Sequence, residues 1–393
     1  MDRLMVKYAE KLVSVGLVEP GEAVMGVLDA DLEWNRDDPR QDVLNRIFQE
    51  LSINSLICAL PAEPYRTMIT SLAESGDDAI YPKDCETRTF IHDLPLSRSW
   101  DAATIVAALK RRKSVIIPDK GIITFGIVSP EQAFIVFSSV CFAVFVTFFS
   151  DYLTAARHGH LTAAQRKAFQ HVLQTIPAHI DLPSPNLTPG PFCTESSVMA
   201  AMIEAGGKTV EYELVDSFFG NISYRAGDTI YISQTSSSLD ELGGCIDPCP
   251  VDGSSCAGVT ASSELAAHRE VLTQTPARAI LHGHPKFSVI LSMDCTEDTD
   301  CENRNECYRR CPKKRFVNGV PIVPGEVGTG PFGLCRTMPA ALRNHPGVIV
   351  YGHGVFATGR QDFREAFDTL MTIETECRKT FFERVRQYDR PVT

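Results

Sequence analysis

This sequence lacks three things, and each absence narrows the choice of function. It has no basic excess: 38 Lys and Arg stand against 49 Asp and Glu, for a formal net charge of −11. Such an acidic chain is a poor partner for a phosphate backbone, so nucleic acid is not an expected ligand. It shows no export leader. Residues 1–11 mix charges throughout and read as an amphipathic helix, without the apolar core and cleavage site of a signal peptide. The expected location is therefore cytoplasmic and reducing. It has no pair of CxxC motifs of the kind that marks common structural zinc sites. Long apolar runs are scarce as well, the exception being residues 133–149, rich in Phe and Val. That run is slightly short for a bilayer span and is interrupted by Ser138, Ser139 and Thr147. It reads as a buried or interface helix, and no membrane partner is expected.

What remains is an ordinary globular composition, 44% hydrophobic and 22% charged, over 393 residues, enough for two or three domains. A proline-rich run over 176–191 divides the chain nearly in half, because proline blocks both helix and central strand. The two halves look alike. Residues 114–126 align without a gap to 347–359, and each segment is followed by a polar turn and a long helix carrying Gln132-Ala133-Phe134 or Glu365-Ala366-Phe367. Residues 45–57 match 268–280, and a two-residue shift then sets Pro61, Glu63 and Lys120 where the second half has His282, His284 and His353. This is a domain-scale duplication. The expected organisation is a first domain at 1–175, a linker at 176–192 and a second domain at 193–393. Segments 196–205, 263–272 and 362–384 read as helices, and 162–173 as the helix closing the first half. Segments 231–233, 279–284 and 348–351 read as strands. Strands alternating with helices make an α/β layered fold.

The three histidines carry the chemistry. His282 and His284 end one β-branched apolar run, and His353 ends another. Residues two apart in an extended chain point to one side, so the first pair can share an ion. Three neutral imidazoles with an open fourth position form a catalytic rather than a closed structural zinc arrangement. The bland reading is of histidines that merely follow strands. Lys120 cannot take over an imidazole's role while it keeps its proton, so the first half is expected to bind no catalytic metal. Glu264 follows Ser262 and Ser263 at a helix start. There the carboxylate can simply face the helix dipole and the serines can simply cap. Asn221, after Gly220, can simply hold a turn.

In chain order, Gly220-Asn221-Ile222-Ser223, Ile232-Ser233-Gln234-Thr235-Ser236, Ser262-Ser263-Glu264, His282-Gly283-His284 and Gly352-His353-Gly354 resemble the class II aldolase and adducin family, which includes zinc-dependent fuculose-phosphate aldolase. The resemblance covers about 196–384, and more faintly the first half as a degenerate copy. It implies two tandem domains, each a mixed, largely antiparallel sheet flanked by helices. It implies zinc or another divalent metal on His282, His284 and His353, with Glu264 as the acid–base residue. It places a substrate phosphate at Asn221, Thr235, Ser236, Ser262 and Ser263. The family usually has glycine where this chain has Ser236. The implied reaction is aldolase-type cleavage of a carbon–carbon bond in a small phosphorylated sugar or keto-hydroxy compound. The alternatives are a sugar-phosphate epimerase, dehydratase or decarboxylase on the same metal, or an adducin-like scaffold without chemistry. Family members form four-fold rings, so a chain with two copies is expected to form a homodimer with pseudo-four-fold symmetry. The family's catalytic tyrosine comes from a neighbouring subunit, and Tyr308 and Tyr65 are the candidates here.

Cysteine is common, at 13 residues. Cys295, Cys301, Cys307 and Cys311 lie in a charged insertion between the second and third histidines, while Cys245, Cys249 and Cys256 lie in a Gly/Pro-rich loop before Ser262. Their spacing leaves three readings open: disulfides, a second centre (structural zinc or an iron–sulfur cluster), or free thiols.

Overall fold

The computed structural model describes residues 2–179, 182–216, 219–296, 301–303 and 306–389. The chain divides into two compact units, Met1–Pro177 and Ala178–Thr393.

Unit 1 begins with α1 (Asp2–Ser14), β1 (Val24–Leu28), β2 (Leu32–Trp34), α2 (Gln41–Glu50), β3 (Ser55–Ala59), α3 (Tyr65–Ala73), β4 (Ala79–Ile80) and α4 (Cys85–Phe90). It continues with β5 (Leu94–Pro95), α5 (Ala102–Arg111), β6 (Ser114–Ile117), β7 (Gly121–Gly126), α6 (Pro130–Arg157) and α7 (Ala163–Val172). Its main sheet has the order β2-β1-β3-β7-β6, antiparallel throughout. One face of that sheet is covered by α2 and α5, whose Leu44, Ile47, Ile105 and Leu109 pack with Leu56, Cys58 and Val115. The apolar run of 133–149 lies inside α6. This helix starts cleanly, with Pro130 in its first turn after the extended Ser129. It is long and apolar enough to cross a membrane by length and composition, yet 89% of its apolar window is buried within the protein. It packs on β7, β3, α1 and α3. A helix that is apolar all round belongs in such a core, so α6 offers no free face that calls for a partner.

Unit 2 opens with α8 (Glu195–Glu211), β8 (Asn221–Ala226), β9 (Thr229–Ser233), β10 (Ile246–Pro250), α9 (Leu265–Gln274), β11 (Ala279–Gly283) and α10 (Lys286–Met293). It closes with β12 (Arg315–Val317), β13 (Val320–Val323), α11 (Leu334–Leu342), β14 (Gly347–Val350), β15 (Gly354–Gly359) and α12 (Phe363–Tyr388). The sheet order is β10-β9-β8-β11-β15-β14-β13-β12. Only the β13–β14 pairing is parallel. The fold is therefore a mixed, largely antiparallel α/β layer architecture. The segment read as a linker is pinned to this unit. Phe192 N–H donates to the Tyr224 hydroxyl, Gly190 N–H to Asp362, and Leu187 O accepts from Arg364. Prolines keep this stretch out of helix and strand, but side chains of unit 2 supply its hydrogen bonds.

The two sheets share a strand plan. The order β2-β1-β3-β7-β6 in unit 1 recurs as β9-β8-β11-β15-β14 in unit 2. Register makes the correspondence residue by residue. Ser55 pairs with Gly126 as Ala279 pairs with Gly359, and Val24 pairs with Cys58 as Asn221 pairs with His282. This corrects the sequence alignment. Cys58 and Leu60, not Pro61 and Glu63, stand at the places of His282 and His284, while Lys120 keeps its place opposite His353. The counterparts thus lie three residues earlier than the sequence alignment set them; β3 is buried at every position, so its continuous apolar run carries no alternation that would have fixed the register.

Candidate metal centre

His282 lies on β11, a central strand, with Asn221 of β8 on one side and Phe356 of β15 on the other. The strand ends at Gly283, so His284 is the first residue beyond it rather than part of it. His353 sits in the tight turn of the β14–β15 hairpin, where its N–H donates to Val350 O. That turn is held from α10, whose Ser292 hydroxyl accepts from Gly352 N–H at 2.8 Å. Gly354 is required on steric grounds. A Cβ there would lie 2.4 Å from Gly283 O and within 2.9 Å of both the His282 and His284 rings. Gly220, with φ +91°, likewise passes close to the His282 carbonyl, where a Cβ would lie 2.5 Å away.

The three rings form a near-equilateral cluster, with centroid separations of 4.6, 4.9 and 5.1 Å. The ligand nitrogens lie within 4.8 Å of one another, and those of His282 and His284 are 2.9 Å apart. All three residues are at most 3% exposed. Burial holds His282 and His284 well below the usual imidazole value, and the neighbouring rings add to the effect. They are neutral at physiological pH, the state a metal needs. His282 Nδ1 lies 2.9 Å from Val355 O, and its ring stacks on Phe356 at 3.7 Å. A donated Nδ1–H fixes the tautomer and leaves the Nε2 lone pair facing the cluster. Phe219 stacks on His284 from the other side.

Glu264 enters the same space. Its carboxylate oxygens lie 3.5 Å from His282 Nε2 and 3.6 Å from His353 Nε2. The residue is 5% exposed and accepts from Asn221 Nδ2 at 2.6 Å. The predicted helix over 263–272 starts two residues later, at Leu265. Glu264 is itself the N-cap and makes no side-chain cap bond, so neither serine is the cap. Ser262 instead accepts from Glu264 N–H at 3.3 Å, and the carboxylate points at the imidazoles rather than along its own helix. Three imidazoles and one carboxylate, buried and convergent, fit a divalent cation.

The residues assigned to a phosphate fall into one corner. The Gln234–Ala261 bridge, with Thr235 N–H donating to Thr260 O and Ser262 N–H to Ser233 O, sets 234–236 beside 260–263. Thr235, Ser236 and Ser263 are exposed there and Ser262 is buried. Ser236 has φ +59°, the left-handed conformation that glycine adopts freely. This chain keeps the backbone shape that a glycine would favour while carrying serine. Asn221 joins this corner through Glu264, to whose carboxylate its amide donates at 2.6 Å.

The cysteines gather no comparable ligand group among the described residues. Cys249, on β10, is a core residue packed with residues of β9 and α9, 3% exposed. Cys245, Cys249, Cys256, Cys301 and Cys311 are free thiols, so the disulfide reading finds no pair among these five. Cys307 neighbours Cys311, Cys301 and Cys295; burial, and then those neighbours, push its thiol up. Tyr308 lies in the same insertion, and Tyr65 opens α3 in unit 1.

Sequence reasoning missed several supporting residues. Glu374 of α12 caps α10, accepting from the N–H groups of Phe287 and Ser288 at 2.9 Å, directly after His284. His268 is fully buried, one turn after Glu264, and its Nδ1 lies 2.7 Å from the Ser223 hydroxyl. Phe356 supports His282. Each acts across a long sequence separation, and no local pattern marks it. Only His268 left a trace, as a polar residue on the apolar face of a helix.

A family model described as the Class II Aldolase and Adducin N-terminal domain matches residues 200–381. No curated protein matches the chain. Among solved structures, the L-fuculose-1-phosphate aldolase of Thermus thermophilus is 25% identical, covering 50% of this chain and 98% of its own, with a TM-score of 0.41. YgbL of Klebsiella pneumoniae, a putative aldolase/epimerase/decarboxylase, is 22% identical, covering 50% and 99%, with a TM-score of 0.38. A sugar-phosphate aldolase from Thermotoga maritima is 17% identical, covering 50% and 99%, with a TM-score of 0.36. The likeness to the class II aldolase and adducin family is thus carried by residues 200–381.

Proposed function

We propose that unit 2 is a zinc-dependent lyase that cleaves a carbon–carbon bond in a small phosphorylated sugar or keto-hydroxy compound, by way of an enediolate. One observation carries this reading: the buried nitrogens of His282, His284 and His353 converge, with the Glu264 carboxylate 3.5–3.6 Å from two of them. Zinc held there would supply Lewis acidity for the negative charge that develops on oxygen as the bond breaks. The chain's own residues do the rest. Glu264 accepts and returns the proton, oriented by Asn221. Thr235, Ser236, Ser262 and Ser263 take the remote phosphate through hydroxyl and backbone N–H groups, which orients the reacting carbons. The buried imidazoles and Phe219 keep bulk water away from the reacting face.

The same reading makes unit 1 a copy without this chemistry. Arg40 precedes α2 as Glu264 precedes α9, both helices being ten residues long. The guanidinium is bound by Asp38 and Glu22 at 2.8 and 2.9 Å. Burial pushes the Cys58 thiol up to about 12, so it stays protonated. A fixed cation, a protonated thiol, Leu60 and Lys120 at these places favour a unit that carries no metal. Association as a homodimer is part of the proposal, and light scattering that reads a stable monomer removes that part.

The test is a panel of ketose phosphates incubated with the zinc-loaded chain. Released aldehyde supports the lyase. Water loss, epimer formation or carbon dioxide release instead assigns one of the sister reactions. A preparation that neither holds nor takes up zinc leaves an adducin-like scaffold.

A further inference from the structure

We infer a second ligand site in unit 2, on the outer side of α9 and away from the histidines: a cleft for a small polyphosphorylated or pyrophosphate-like anion. The α9 and α11 helices pack side by side through Leu265, Val271 and Leu272 on one and Leu334, Met338 and Leu342 on the other. Their outward faces enclose a cleft of about 450 Å³ lined by Arg269, Glu270 and Gln274 from α9, and by Arg336 and Arg343 from α11 and its C-cap. The volume suits a small ligand. Three guanidinium groups face one carboxylate here, in a chain whose net charge is −11. Among the described residues, none of the three makes an ion pair with a carboxylate. Gln274 spans the cleft instead, accepting from Arg343 at 2.7 Å and donating to Glu270 at 2.6 Å. That contact holds the single carboxylate on an amide and leaves the arginines uncompensated. The Nε of Arg269 is itself buried, so the terminal nitrogens of the three guanidinium groups are the donors an anion in the cleft would meet. Planar guanidinium groups on two facing helices match the paired oxygens of phosphate groups better than a monovalent anion does.

The test is calorimetric titration of the full chain with sodium pyrophosphate at constant ionic strength, after zinc removal so that the metal centre takes no part. The site predicts saturable one-to-one binding, weakened at least tenfold by Arg269→Gln/Arg336→Gln/Arg343→Gln and unchanged by Ser263→Ala in the loop beside Glu264. Should the triple variant fold poorly, Arg336→Gln alone, an exposed residue whose side chain has no partner here, is expected to weaken binding at least threefold. Absence of saturable heat, binding that survives the arginine variants, or binding lost with Ser263→Ala overturns the assignment.

Discussion

Replacing Glu264 with Gln separates metal holding from proton transfer, because the side chain keeps its shape and loses only its charge. The carboxylate is 5% exposed, and burial keeps the His282 and His284 imidazoles of the cluster neutral. Neutral His282 and His284 imidazoles bring no charge to offset that of the carboxylate, so the amide should leave the metal-free protein as stable or more stable, by up to a few kcal/mol. The contact from Asn221 survives, since an amide oxygen also accepts, and α9 loses no cap bond because Glu264 makes none. With zinc the order reverses. A cation present at a hundred times its dissociation constant adds about 2.7 kcal/mol, or about 5–10 °C of melting temperature for a domain of this size. The variant keeps three nitrogen ligands but loses the adjacent anion, so its zinc-induced shift should be smaller than the wild type's while its zinc content at saturation stays at one per chain. Its turnover should fall by about 10²–10⁴, the usual worth of a positioned acid–base group. Differential scanning calorimetry with and without zinc, elemental analysis and the aldehyde-release assay read the three quantities. Turnover within threefold of wild type refutes the role given to Glu264, and loss of zinc at saturation makes the residue a ligand above all.

Three other perturbations follow from the same geometry. His353→Ala should lose metal and activity together, whereas Lys120→Ala should leave zinc content unchanged; a Lys120 variant that folds but loses zinc would place a metal in unit 1. Arg40→Ala should lower stability by about 1–3 kcal/mol, because it removes charge-assisted hydrogen bonds to Asp38 and Glu22 and leaves Asp38 with Arg36 as its remaining cation; a change under about 0.5 kcal/mol in urea melts argues that water replaces the guanidinium at no cost. His268 is held by burial at about 3, against 6.5 for an ordinary imidazole, so the unfolded chain binds a proton that the folded one refuses between those values. Its contribution is complete above about 6.5 and is lost as pH falls toward 3, about 3 kcal/mol by pH 4 at about 1.4 per unit; His268→Gln should flatten stability against pH over that window, and an unchanged slope would show that the imidazole already titrates in the fold.

The sequence by itself determined the chemistry of the ligands. Histidines two apart at a strand end, a third after another apolar run, and a carboxylate after two serines are local patterns, because strand alternation and helix starts are local physics. The layered α/β class and the duplication were legible for the same reason: α6 and α12 each follow a similar hairpin sequence. Tertiary structure decided what depends on pairing between distant segments. Strand register moved the unit 1 counterparts to Cys58 and Leu60 and revealed Arg40 in the place of Glu264. The cross-strand partnership of His282 with Phe356, the cap that Glu374 sets on α10 and the guanidinium-lined cleft between α9 and α11 each join elements far apart in the chain. Hydrophobic alternation is blind to such partnerships, since many registers bury the same side chains and only close packing selects one of them.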